Sequence, residues 1–272
     1  MVSLLVMASG FDVGRAVGAG LGDRRRVLEF IDEFAAAWTR PLAREDGYGE
    51  DVLQSVEEHL GVRLPPALRE AYLVLGKRTD LTARQDPLLP PGRLRVDQAE
   101  AVIVFRRENQ ACAEWGVAAS DPWNPEDPPA YVRQAGDRKW RPFAARMSLA
   151  CAEMVLSEVL LGTRFMAMCD ASGAPAAAAA ESLYPRVALP EYPLWCDTAV
   201  TSRWFAAPGK LLRIDGRGPY CWLVAAGQTH DDLTSICAAV PGDWQGALLS
   251  ARGSSGPPGG PACHARADDL CA

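Results

Sequence analysis

The stretch Gln228-Thr229-His230-Asp231-Asp232 sets an imidazole beside two carboxylates. That grouping could hold a metal ion or act as the base of a hydrolase. It equally suits the start of a helix, where Asp231 or Asp232 caps exposed N–H groups, and this simpler reading is preferred. Glu126 and Asp127 form another carboxylate pair, but they sit in a proline-rich loop, where solvated charges are expected. The chain contains no Gly-x-Ser-x-Gly, no His-Glu-x-x-His and no phosphate-binding Gly-rich motif ending in Lys-Ser/Thr. Gly14, Gly18, Gly20 and Gly22 follow an apolar start, yet their spacing does not fit a dinucleotide fingerprint. No catalytic residue, metal ligand or cofactor is expected.

The eight cysteines are scattered, with no Cys-x-x-Cys pair. Cys221 and Cys237 lie inside apolar runs, so they read as buried thiols behaving as small hydrophobes in a reducing compartment. The net charge of -6 lacks the basic footprint of nucleic-acid binding and favours a basic protein partner. No apolar run reaches the roughly 20 residues of a membrane span. A cytoplasmic protein without nucleic-acid or membrane partners is expected.

These residues need elements to hold them. Residues 1–22 read as a flexible leader. Asp23 caps a helix carrying Val27, Leu28, Ile31, Phe34, Ala35 and Trp38 at helical spacing. A second helix covers residues 50–60, with Gly61 as its left-handed stop. A third opens at Pro66 and ends at Gly76. Residues 77–100 read as loop. Residues 101–105 and 113–117 read as paired antiparallel strands, followed by an acidic, proline-rich loop and a strand at 130–133. Residues 147–161 form a long helix. Ala176–Ala180 reads as a linker. Pro208-Gly209-Lys210 marks a hairpin between 203–206 and 211–214, a strand covers 220–226, and a short helix follows. Residues 250–272 read as a disordered tail. Helices first and strands later give an α+β fold: N-terminal helices on a mainly antiparallel, twisted sheet, with a long helix after the first strands, as a single domain over 23–249.

Several features recur in a fixed order. Glu57, Leu60-Gly61, Leu64-Pro65 and Tyr72 are followed by Glu108-Asn109-Gln110 and Trp115-Gly116, then Asp127-Pro128-Pro129, Trp140 and Ser148. Over residues 24–162 this series resembles the SUKH superfamily, the Smi/Knr-type cell-wall regulators and bacterial immunity proteins. Ala111 stands where the family usually has glycine, which implies a turn without positive φ. Ala130 replaces its valine, and residues 163–200 match nothing in the pattern.

The resemblance implies a non-catalytic binding protein, monomeric when free. Its partner would be a cognate polymorphic toxin domain of nuclease or deaminase type, neutralised by direct binding. A regulatory scaffold for endogenous partners is the alternative, and a hydrolase using His230, Asp231 and Asp232 a remote one. The expected partner-binding residues are Glu108, Asn109, Asp121, Trp123, Glu126 and Asp127, side by side on one surface. Trp115 and Trp140 read as core aromatics, and Gly116 as relief for a crowded strand.

Overall fold

The computed structural model describes residues 10–246, except 122, 173, 174, 198 and 219. The expected tail at 250–272 and residues 1–9 of the expected leader lie outside the described residues. Helices α1 (Val13–Val17), α2 (Arg24–Trp38), α3 (Glu50–Leu60), α4 (Pro66–Leu75) and α5 (Thr79–Thr82) come first. Asp23 caps α2 by accepting from the Arg26 N–H at 2.9 Å. The buried face of α2 is Val27, Phe30, Ile31, Phe34 and Ala35, which is helical spacing. Gly61 ends α3 at φ +69°, and Pro66 opens α4, where its missing N–H costs nothing.

A five-stranded antiparallel sheet follows in sequence order: β1 (Arg95–Asp97), β2 (Val102–Arg107), β3 (Ala113–Ala118), β4 (Ala130–Gln134) and β5 (Arg141–Ala144). Its inner face carries Ile103, Phe105, Trp115, Val117 and Val132 into the main core. Helix α6 (Met147–Gly162) lies against that face. Every residue from Met147 to Leu160 is buried, because a helix that is apolar nearly all round must be covered on all sides.

The cover on its far side is a second antiparallel sheet, ordered β6-β10-β9-β8-β7. Its strands are β6 (Met166–Asp170), β7 (Tyr192–Pro193), β8 (Thr201–Ala207), β9 (Lys210–Arg217) and β10 (Tyr220–Gly227). Trp204, Leu211, Val224 and Ala226 face the main core. Phe205, Leu212, Ile214 and Leu223 face a smaller core closed by α7 (Pro175–Leu183) and α8 (His230–Ala239).

The α+β class and the long helix after the first strands stand as read from sequence. Several finer expectations need correction. There are two sheets, not one, since α6 has two faces to bury. Residues 10–22 are not a loose leader: Val13, Val17 and Leu21 are buried. Phe11 also exchanges bonds with the β8–β9 turn and with Gln228, through its carbonyl to Gly209 N at 2.9 Å and its N–H to Gln228 Oε1 at 2.9 Å. The alanine run forms α7, whose Ala176 and Ala180 pack on sheet β6–β10. The loop expected at 77–100 contains α5 and the edge strand β1.

Candidate functional site

The six expected partner-binding residues do not form one surface. Antiparallel pairing puts Glu108 and Asn109 in the β2–β3 turn and Asp121 to Asp127 in the β3–β4 loop, at opposite ends of β3. Six residues of strand separate them, roughly 17 Å.

Glu108 is buried and works inside its own turn. Its carboxylate accepts the N–H of Gln110 at 2.8 Å and of Cys112 at 3.0 Å. Asn109 is exposed on the same turn. Ala111 has φ +66°, so the turn does require the left-handed conformation, against the expectation of a turn without positive φ. The Ala111 N–H bonds back to the Glu108 carbonyl at 2.8 Å, and the two Glu108 carboxylate bonds hold the strained residue in place.

Asp127 is also buried, against the expectation of a partner-facing charge. It accepts the Ser148 N–H at 2.8 Å and the Ser148 hydroxyl at 2.5 Å, with Arg146 at 3.4 Å. A carboxylate from a distant loop thereby caps α6, whose own preceding residue, Arg146, supplies no cap. This explains the pairing of an Asp-Pro-Pro turn with a later serine. Glu126 is exposed but bonded to Arg24, which also grips Glu70 at 3.0 Å. The acidic patch expected to meet a basic partner is therefore largely spent within the molecule.

What remains exposed is the aromatic side chain. Trp123 is 93% exposed, far beyond Leu183 at 53% and Val52 at 38%. Its loop is braced rather than loose. Asp121 accepts the N–H groups of Trp123 at 2.8 Å and Asn124 at 3.3 Å. The Asn124 side chain donates to the Asp127 carbonyl at 2.6 Å. The Glu126 carbonyl accepts the Ala67 N–H at 2.9 Å, tying the loop to α4. Asp and Asn closing local turns is the chemistry that fixes such a loop.

The remaining motif residues also have internal roles. Glu57 accepts the Leu64 N–H at 3.0 Å, bracing the α3–α4 connection. Trp115 packs in the core, but Trp140 does not. The Trp140 indole is half-buried and lies across the open face of the first sheet, donating to Asp97 at 3.1 Å under the Arg133 guanidinium. A Cβ on Gly116 would come within 2.2 Å of Val102 and 3.1 Å of the Trp140 ring, so only glycine gives that ring its seat.

His230, Asp231 and Asp232 do not converge. Thr229, not an aspartate, is the helix cap, and it exchanges bonds with Asp232 at both termini of a capping box. Asp231 is fully exposed and 3.8 Å from His230. Among the described residues no group of three or more His, Cys, Asp or Glu is placed to hold a metal. Cys151, Cys169 and Cys221 are buried, but Cys237, expected inside with Cys221, is only partly covered on α8; burial pushes the Cys151 and Cys169 thiols up to about 12.

Sequence reading missed a buried charge network on α6. Arg106 of β2 is paired with Glu158 at 2.8 Å and Glu153 at 3.0 Å. Glu158 also accepts the N–H groups of Arg84, Gln85 and Asp86, at 2.6, 2.6 and 3.0 Å. Ser157 links Glu153 to Arg213 of β9, at 2.5 and 2.9 Å. Burial pushes the Asp86 carboxyl up to about 6; Arg106 opposes this, and Glu158, Glu108 and Glu153 add to it. Burial works against the Arg106 charge, but the surrounding carboxylates outweigh it and raise its pKa. The network fastens both sheets to α6. Its signal in sequence was Glu153, Ser157 and Glu158 in the body of a helix that is apolar there apart from them.

No helix among the described residues is long and apolar enough to cross a membrane. Comparison with protein-family models, curated proteins and solved structures found no match.

Proposed function

We propose that this chain is a cytoplasmic, non-catalytic protein-binding module of SUKH type, an immunity protein that neutralises a cognate polymorphic toxin by direct binding. The observation that carries the reading is Trp123, 93% exposed at the tip of a loop whose backbone is already fixed. Leaving a tryptophan in water forgoes the burial of about 150–250 Å² of mostly apolar surface. Tryptophan is also enriched among the few residues that dominate binding energy, and a rigid mount reduces the ordering cost of association.

The order of Glu57, Gly61, Leu64, Trp115-Gly116, Asp127, Trp140 and Ser148 supports the SUKH resemblance. The bonds and contacts described above give most of these residues a reason to be retained by the fold. Partner recognition is then left to the exposed tip, which is free to differ between relatives with different toxins.

The test is co-expression with the toxin encoded beside this gene, together with titration of the purified pair. Trp123→Ala is expected to weaken the complex by about 30-fold or more, the scale of a hot-spot truncation, and to lose growth protection. Unchanged affinity and protection in that variant would refute the loop as the docking element. An adjacent gene product that neither kills nor binds would refute the immunity reading itself.

A further inference from the structure

The layer formed by the second sheet and α7 contains a cleft that the Trp123 loop does not touch. It is an open cleft between α7, β8 and the β9–β10 turn, with a volume of about 310 Å³, at the lower end of the roughly 300–1,000 Å³ usual for small-molecule sites. Ala171, Ala177 and Ala178 line it, with Cys221 beside them. Three charged side chains share it: Arg203, Arg217 and Glu181.

Arg203 is the unusual member. Its side chain is 7% exposed in a chain of net charge -6. Nη1 meets Glu181, Nη2 donates to the Gly216 carbonyl at 3.2 Å, and Nε is buried without a partner. A guanidinium offers five N–H donors in a fixed fork, and leaving buried donors unpaired is costly. Nη1 and Nη2 each keep a second N–H beyond these bonds, and it is these, not the sealed Nε, that an oxyanion drawn into the cleft would use. Arg217 stands at the mouth, 65% exposed and steadied by Glu191 at 2.9 Å. Gly218 follows it at φ +62°, with open space where a Cβ would stand.

The third charge selects among anions. Glu181 would repel a phosphate dianion and compete with it for Arg203. A zwitterion satisfies both signs, placing its carboxylate between the two arginines and its ammonium against Glu181. The alanines leave room for a small apolar side chain. We propose that this cleft is a binding site for a free α-amino acid with a small apolar side chain. The site is independent of toxin binding and stands or falls separately from it.

Calorimetric titration of the full chain tests this, using glycine, alanine, valine and leucine against acetate, ethylamine and inorganic phosphate as partial mimics. At least one amino acid is expected to bind more tightly than any mimic. Arg217→Ala removes only an exposed side chain and is expected to weaken that binding about tenfold or more, with the thermal melt unchanged. Glu181→Gln is expected to erase the preference for the amino acid over acetate. The proposal is overturned if no amino acid binds at about 10 mM, if phosphate binds best, or if Arg217→Ala leaves affinity unaltered.

Discussion

The two ends of strand β3 look alike in sequence and behave differently in structure. Each joins two strands through polar residues with an acidic start: Glu108-Asn109-Gln110 at one end, Asp121 to Asp127 at the other. At the first end the carboxylate folds inward onto the N–H groups of Gln110 and Cys112, beside the charge network around Arg106. At the second, the base of the loop is buried through Asp127 while its tip lifts Trp123 into solvent. Polarity therefore does not by itself mark a surface for partners. A carboxylate within reach of unpaired N–H groups is used by the fold first, and a tryptophan left exposed is what remains for recognition.

The largest expected effect falls on the base of the second loop. Asp127→Ala strands the Ser148 N–H and hydroxyl at the start of a buried helix. Losing a cap and leaving buried donors unpaired is expected to cost about 3 kcal/mol. Asp127→Asn keeps an acceptor and should cost about 1 kcal/mol. Urea denaturation of the two variants checks the ranking. Equal and negligible losses would mean that Asp127 is a surface residue after all, and the contrast within the loop would fail.

The next effect is a pH dependence from Asp86, beside the first end, set against Asp46 in the short turn between α2 and α3. The Asp86 carboxyl, raised to about 6, is faced by Arg106 from β2, Glu108 from the turn, and Glu153 and Glu158 from α6. Its ordinary value is about 3.9, so between pH 4 and 6 the native state holds a proton that the unfolded chain does not. Stability from this group is thus greatest below pH 4 and falls as pH rises through 6, by at most about 3 kcal/mol. Asp46 runs the other way. The Arg40 guanidinium holds its carboxyl well below the usual range, so its contribution is present above about pH 4 and fades in more acid solution. Asp86→Asn is expected to flatten the dependence between pH 4 and 6. An unchanged slope in the variant would assign that dependence to other groups.

The elements most legible from sequence were those governed by local periodicity and turn chemistry. The spacing of Val27 to Trp38 and the Gly61 stop sufficed for α2 and α3, and Pro208-Gly209-Lys210 for the β8–β9 hairpin. What stayed hidden depended on contacts far apart in the chain. A bulge between Val104 and Arg106 turns both Phe105 and Arg106 inward, so period-two reading could not show a buried arginine there. The alanine run looked featureless because alanine carries no amphipathic signal, and only the sheet beneath it reveals its buried side. Residues 10–22 looked loose because their partners lie near 209 and 228. Of the expected site, Trp123 was legible as an aromatic in a polar loop. The burial of Asp127 was not, since Ser148 is 21 residues away.

A smaller effect belongs to the first turn. Ala111 at φ +66° occupies a conformation that costs a residue with a Cβ roughly 1 kcal/mol, and glycine avoids the clash. Ala111→Gly is expected to stabilise the protein by somewhat less than 1 kcal/mol, because glycine also loosens the unfolded chain. A rise in the denaturation midpoint with an unchanged slope would show this. Destabilisation would mean that the alanine methyl makes a contact worth more than the strain.

The smallest effect is the sharpest test of the contrast between the ends of β3. Trp123 is 93% exposed, and the bonds that fix its loop run through its backbone N–H and through Asp121 and Asn124, not through its indole. Trp123→Ala is therefore expected to change unfolding free energy by no more than about 0.5 kcal/mol, as for other surface positions. A tryptophan retained for recognition is dispensable for folding, whereas one retained for packing is not. If the variant unfolds several degrees earlier, the indole is packed against the protein in solution, and the loop tip joins its base as part of the fold.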